Sequence, residues 1–377
     1  MDLITAGRSA GKGLERFAGS GATVNAALID GIVKAVLYEG YLLYPYRPSA
    51  VKNRQRFNFG VVYPQGYSES QNAGEAWSMQ TECLVLGSEK TDCLVRVRFL
   101  RMVERSVAKL STPCGDLSAI LPEYLEKVAR LEINGQVFQS WQEAVEETIE
   151  IMPLNLNTLD GRPLQRPFRL AAQQESEPIR DATGPIAGIV IRSKAEIAGT
   201  IEIAVQEASP GVFRLSTKII NRTPVGNSGN IDREEALAQS LVSAHTILEV
   251  LNGEFVSLVD PPEAYRDLAR ACRNVGTWPV LVGPEDDRTV MLSSPIILYD
   301  YPQIAPESPG DLFDGAEIDE ILSLRILTLT DEEKREMRES DERARQILER
   351  TEALPEAHWT KLHGALRGMR GPKGAQA

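Results

Sequence analysis

The chain has 377 residues, 25% of them charged, and a formal net charge of −12, a globular composition large enough for two domains plus tails. That charge opposes polyanion binding except through a local basic patch. No apolar run approaches the roughly 18 to 20 residues that a membrane-spanning helix requires. The N-terminus carries Asp2 and no apolar segment of the secretory kind, so a cytoplasmic protein without a membrane span is expected.

In chain order, residues 1–35 open Gly-, Ala- and Ser-rich and predict a flexible leader. Within it GRSAGKG, Gly7 to Gly13, is not a phosphate loop: one residue too few separates Gly7 from Gly11, and Gly13 stands where a hydroxyl should follow Lys12. The stretch Val36 to Pro64 is the densest in aromatic, proline and basic residues. Tyr41, Tyr44, Tyr46, Phe57, Phe59 and Tyr63 bracket a loop with Arg47, Lys52, Arg54 and Arg56, and Pro45 and Pro48 stiffen its entry. Such a loop can stack on bases and neutralise phosphates, or form the Tyr and Arg centre of a protein interface; a third reading places the tyrosines in the core beside a solvated turn. The acidic chain ranks nucleic acid below a protein partner, with Tyr44, Tyr46, Arg47, Lys52, Arg54 and Arg56 as the contact candidates.

Residues 36–225 predict a β-rich domain, a sandwich or partly open barrel. Strands are expected at 57–63, 79–86, 93–104, 186–191, 199–206 and 212–221, and Asn134-Gly135 predicts a hairpin turn within 130–141. Cys83 and Cys93 would face each other if LVLGSEKTDCLV is a hairpin, as two free thiols rather than a bridge in a reducing compartment. Cys83, Cys93, Cys114 and Cys272 include no CxxC pair, and His245, His358 and His363 lie far from them, which excludes the common zinc and iron–sulfur spacings. No cofactor and no catalytic residue is assigned.

Residues 226–330 predict a smaller α+β domain. Asp232 is expected to cap a helix on which Leu237, Leu241, Ala244, Leu248 and Leu251 form one face, with His245 at its edge as a surface or half-buried residue. A second helix over 262–274 and short strands at 278–282, 289–292 and 295–299 follow. The segment 299–320 then carries Asp300, Glu307, Asp311, Asp314, Glu317, Asp319 and Glu320 without a Lys or Arg. Its spacing fits neither an EF-hand nor a paired catalytic motif, and a helix start near Asp314 explains it more simply than metal binding. It could also face the Arg47 to Arg56 loop. Residues 331–377 predict a charged helix over 331–352 opened by a Thr330/Glu333 capping box, a short amphipathic helix with Trp359 as a further partner-binding candidate, and a disordered tail. With so few apolar residues (Met337, Ala344, Ile347, Leu348), the charged helix is expected to project or to depend on a partner.

Two segments, LYEGYLLYPYRPSAVKNRQRFNFGVVYP at 37–64 and LSSPIILYDYPQIAPESPGDLFDGAEIDEILSLRILTLTDEEK at 292–334, resemble a bacterial protein family of no assigned activity associated with gene clusters for nickel-iron hydrogenases of the actinobacterial type. The resemblance implies an accessory role in hydrogenase assembly, or a partner among hydrogenase subunits or maturation factors. The chain lacks the paired CxxC ligands of a nickel-iron subunit and the cysteine clusters of its electron-transfer partner. A non-catalytic accessory or scaffolding protein is therefore expected, with a metal-dependent hydrolase built on Asp300, Asp311, Asp314 and Glu317 as the alternative.

Overall fold

A computed structural model describes residues 4–5, 22–39, 41, 46, 59–70, 74–159, 163–226, 231–303, 319–340 and 342–355. Strand β1 (Ile4–Thr5) and helices α1 (Ala22–Leu37) and α2 (Gln65–Ser70) come first. Strands β2 (Ser78–Leu86), β3 (Asp92–Cys114), β4 (Leu125–Val128), β5 (Arg130–Ile133), β6 (Gln136–Gln139) and β7 (Trp141–Asn155) follow. Next are β8 (Leu164–Leu170), β9 (Gln173–Arg180), β10 (Ile186–Lys194), β11 (Ile197–Ser209) and β12 (Val212–Asn221). Helix α3 (Arg233–Ala238), β13 (Val242–Leu251), β14 (Glu254–Phe255), α4 (Arg266–Arg270), β15 (Trp278–Leu281) and β16 (Val290–Ser294) lead to helices α5 (Asp319–Leu327), α6 (Asp331–Ser340) and α7 (Glu342–Glu352).

The architecture is β-rich α+β, organised on the 23-residue strand β3. One sheet runs β1-β8-β11-β12-β2-β14; the other runs β15-β16-β13-β3-β10-β9, with β7 and β4 also on β3. Residues 92–100 of β3 pair with β13 and β7 together, and residues 107–109 pair with β10 and β4 together. One edge of β3 therefore carries β13 and then β10, and the other carries β7 and then β4. The sheets stack face to face over Val95, Val97, Phe99, Ile149 and Ile151 from one side and Cys83, Ile201, Ile203 and Leu215 from the other. The strand expected at 199–206 supplies Ile201 and Ile203 of the second set.

Side chains one residue out of phase cover the opposite face of the β3 sheet, where the helices lie. Ile29, Ile32 and Val33 of α1 pack on Ile247, Val280 and Leu292. Leu322, Met337, Ile347 and Leu348 of the last three helices share a cluster with Leu100, Met102 and Trp141. Part of the predicted leader is thus an ordered helix, and the charged C-terminal helix is two short helices whose few apolar residues are buried rather than projecting. The Thr330/Glu333 box forms, with Glu333 N donating to Thr330 Oγ1 at 3.3 Å and Thr330 N to Glu333 Oε2 at 2.9 Å. Thr330→Ala is expected to lower the thermal midpoint through a loss of about 1 kcal/mol, which calorimetry reads directly.

The segment 226–330 is not a separate domain. Its β13 pairs with β3, β16 and β15 extend the same sheet, and β14 pairs with β2. The long helix expected after Asp232 also fails to form. Asp232 does cap a helix, its Oδ1 accepting from Glu235 N at 2.8 Å, but that helix ends at Ala238 and the rest becomes β13. Every residue of VSAHTILEVL except Glu249 and Leu251 is buried, so a strand enclosed on both faces satisfies the helical spacing and β-branched Val242, Thr246, Ile247 and Val250 decide the matter. The helix expected over 262–274 shrinks to a 3-10 turn at Glu263–Tyr265 and to α4, and 295–299 is not a strand. The strand expected at 57–63 is only a single bridge, Val62 to Leu241, among its described residues.

The Asn134-Gly135 hairpin does form, with β5 and β6 paired around it and both turn residues at positive φ (56° and 74°). LVLGSEKTDCLV is instead an arch: β2 and β3 lie in different sheets, so Cys83 and Cys93 both point into the sandwich core rather than opposing each other across a ladder. Both thiols are unbridged, and burial pushes them up, Cys93 to about 12, so neither is a thiolate at neutral pH.

Candidate interaction surface

The described tyrosines of the Val36 to Pro64 stretch are core residues. Tyr41 and Tyr46 are buried in one cluster with Tyr38, Tyr63 and Tyr67. Arg343 of α7 stacks over Tyr38 at 4.1 Å and Tyr41 at 5.2 Å and hydrogen-bonds the Tyr38 hydroxyl, so this cluster clamps the C-terminal helices to α1. Burial raises the Tyr38 phenol well above its usual range and pushes Tyr63 up to about 12. Tyr46, expected at a partner surface, is 0% exposed. Tyr44, Arg47, Lys52, Arg54, Arg56 and Trp359 lie outside the described residues.

His245 was expected on a helix as a surface or half-buried residue but is enclosed in β13, 0% exposed. Its Nδ1 donates to Ser243 O at 2.6 Å, which leaves Nε2 to accept from Ser294 Oγ at 3.1 Å. A serine hydroxyl on a histidine resembles a nucleophile and its base, but Ser294 is equally buried and also accepts from Ile296 N. The pair joins two neighbouring strands, and a substrate has no route to it through the packed residues around it.

The acidic segment begins with a structural carboxylate. Val282 N donates to Val290 O at 3.1 Å, so the even-numbered residues of β15 face β16 and Pro279 and Leu281 turn to the outer edge of the sheet. Proline has no donor to leave open there. Leu281 N donates to Asp300 Oδ1 at 2.8 Å, Leu281 O accepts from Tyr301 N at 2.7 Å, and Asp300 Oδ2 accepts from Ser257 Oγ at 2.5 Å. Asp300 therefore caps an edge strand, and both its oxygens are used. Asp311, Asp314 and Glu317 lie outside the described residues, and the described residues contain no group of three or more His, Cys, Asp or Glu placed to hold a metal ion.

Around that capped edge large apolar side chains face solvent. Leu298 packs against the α1 cluster, while its neighbours Ile297 and Tyr299 are 72% and 82% exposed. Trp278 and Val259 are also exposed. The Leu281–Tyr301 and Ser257–Asp300 hydrogen bonds tie the segments bearing Val259, Trp278 and Tyr299 together, and the exposed Asp260 and Asp286 accompany them. Residue type alone did not single out Trp278, Ile297 and Tyr299, because exposure at an irregular strap has no period. Compared with known protein families and with curated proteins, the chain matches none. No helix among the described residues is long and apolar enough to cross a membrane.

Proposed function

We propose that this chain is a non-catalytic accessory or scaffolding protein that works through protein–protein contacts. The exposed Trp278, Ile297 and Tyr299 beside the capped β15 edge carry the reading, since aromatic side chains are enriched at the centres of protein interfaces and solvated apolar surface of this kind gains by being covered. The resemblance of residues 37–64 and 292–334 supplies the partner: subunits or maturation factors of a nickel-iron hydrogenase. The acidic segment that follows Tyr301 flanks this surface in sequence and favours a partner with a basic rim.

The test is co-purification with the separately produced subunits and maturation factors of such a hydrogenase, using the full chain and a Trp278→Glu/Tyr299→Glu variant of unchanged circular dichroism. Wild type is expected to retain a subunit or factor, and the variant to lose it. Equal retention by both would place the contact elsewhere and remove this surface from the proposal.

A further inference from the structure

We propose that the outer edge of β7, from Ala144 to Glu150, is a strand-addition site for an extended, basic segment of a protein partner. It lies on the far side of the same sheet from Trp278 and does not depend on that face.

Backbone direction comes first. Val107 N donates to Ser140 Oγ at 2.9 Å, so odd-numbered residues of β3 turn their amides and carbonyls toward the β7 side. Val250 N donating to Thr289 O at 2.9 Å confirms the parity from the other side: Val250 faces β16, so Glu249 faces β3 and its register partner Leu94 faces β13. Through the pairs Val97↔Ile149, Phe99↔Glu147 and Arg101↔Val145, the odd-numbered residues of β7 point at β3. Ala144, Glu146, Thr148 and Glu150 therefore point their N–H and C=O groups outward, where no strand among the described residues receives them. At the other end of this sheet the shorter strand β15 has its edge closed by Pro279, Asp300 and Tyr301. Among the described residues the edge of β7 is open, as is that of β9 on the other branch of the sheet, and an open row of donors and acceptors is a template for pairing.

Charge specifies the occupant. Across the sheet acid and base alternate by strand: Glu249 of β13 meets Arg96 of β3, and Arg98, Arg101 and Arg105 of β3 meet Glu146, Glu147 and Glu143 of β7. Glu150, in register with Arg96, is exposed. The next strand outward completes this alternation if it is basic. A second copy of the chain is disfavoured: two-fold pairing about Thr148 would place Glu146 opposite Glu150 of the second copy, and like charges directly opposite repel. On the inner face Val145 is partly exposed, so apolar residues should alternate with the basic ones.

The probe is a labelled peptide of about ten residues alternating lysine and valine, the length of an ordinary strand, against a glutamate–valine counterpart. Anisotropy with the full chain is expected to show binding of the lysine peptide only, and hydrogen exchange to show new protection at the amides of Ala144, Glu146, Thr148 and Glu150. Thr148→Pro removes one outward N–H without touching the β3 ladder and should weaken binding about tenfold. Glu150→Lys should shift preference toward the glutamate peptide. No binding, equal binding of both peptides, or protection elsewhere would overturn the proposal. So would protection of the four amides in the free chain, which would assign the edge to a second copy if the chain is dimeric and to its own Arg47 to Arg56 segment if it is monomeric.

Discussion

Arg101→Ala is expected to lower the unfolding free energy by about 3–5 kcal/mol, the cost of leaving the partners of a buried cation uncompensated. The Arg101 side chain is 2% exposed at the mouth of the sandwich. One terminal nitrogen donates to Ala171 O at 2.6 Å and Ala195 O at 2.5 Å, and the other reaches Glu147 Oε1 at 3.5 Å. Those carbonyls lie in the two crossings between the sheets, Ala171 between β8 and β9 and Ala195 between β10 and β11, whereas Arg101 and Glu147 belong to β3 and β7. The guanidinium thus ties both crossings to β3 where the apolar core ends, and beyond it the same face carries the Arg105–Glu143–Arg192 ion pairs. Lysine keeps the charge but not the fork of donors, so Arg101→Lys should recover less than half of the loss. Chemical denaturation of wild type, Arg101→Ala, Arg101→Lys and Arg101→Met decides the case. If methionine is neutral, the residue acts by filling space and the electrostatic argument fails.

The elements legible in the sequence were those whose signals are local. Val212 to Asn221 is a strand over the expected residues, and the Asn134-Gly135 turn needs only its own backbone. Local signals misled where neighbours decide. Leu241, Ala244, Leu248 and Leu251 keep a helical spacing, yet β3 and β16 on either side of β13 turn them into strand and sheet edge. Ile29, Ile32, Val33 and Leu37 in α1 have the spacing of an amphipathic face, hidden by the small residues of the segment before it. Of the readings open for the tyrosines, the interior one holds for Tyr41, Tyr46 and Tyr63. The open edge of β7 could not be read at all, because an edge is defined by which strand is missing beside it.

The β15 and β7 boundaries of the sheet then carry different physics. At β15 the chain uses a proline, a carboxylate and a returning backbone to satisfy one residue, Leu281, and leaves the aromatic strap around it in water. Along β7 glutamates stand on the edge and arginines one strand inward, the charge pattern on which the proposed addition of a basic strand rests. The two surfaces are more than a strand apart by sheet order, since β16, β13 and β3 lie between them.

Acidification should destabilise the fold through His245 by about 3 kcal/mol, the interval between its usual pKa of 6.5 and the folded value of about 4. Burial disfavours the imidazolium, and Arg98, the register partner of His245 on β3, disfavours it further; the Ser243 carbonyl opposes both. Arg98 is itself bound by Asp30 of α1 and Glu146 of β7, so the charged groups nearest the ring from the packed elements are one cation and two carboxylates already engaged with it. Because the folded pKa lies below the unfolded one, the unfolded chain binds the proton first as pH falls. The contribution is complete above pH 6.5, declines from there to about pH 4, and is constant below that. His245→Asn retains a donor for the Ser243 carbonyl and cannot titrate, so the difference in unfolding free energy between wild type and variant should fall along this window and be flat outside it. Nitrogen-15 spectra of the histidine ring provide the direct check: a signal from His245 titrating near 6.5 would show that the ring is not held neutral in the fold, and the predicted slope would vanish with it.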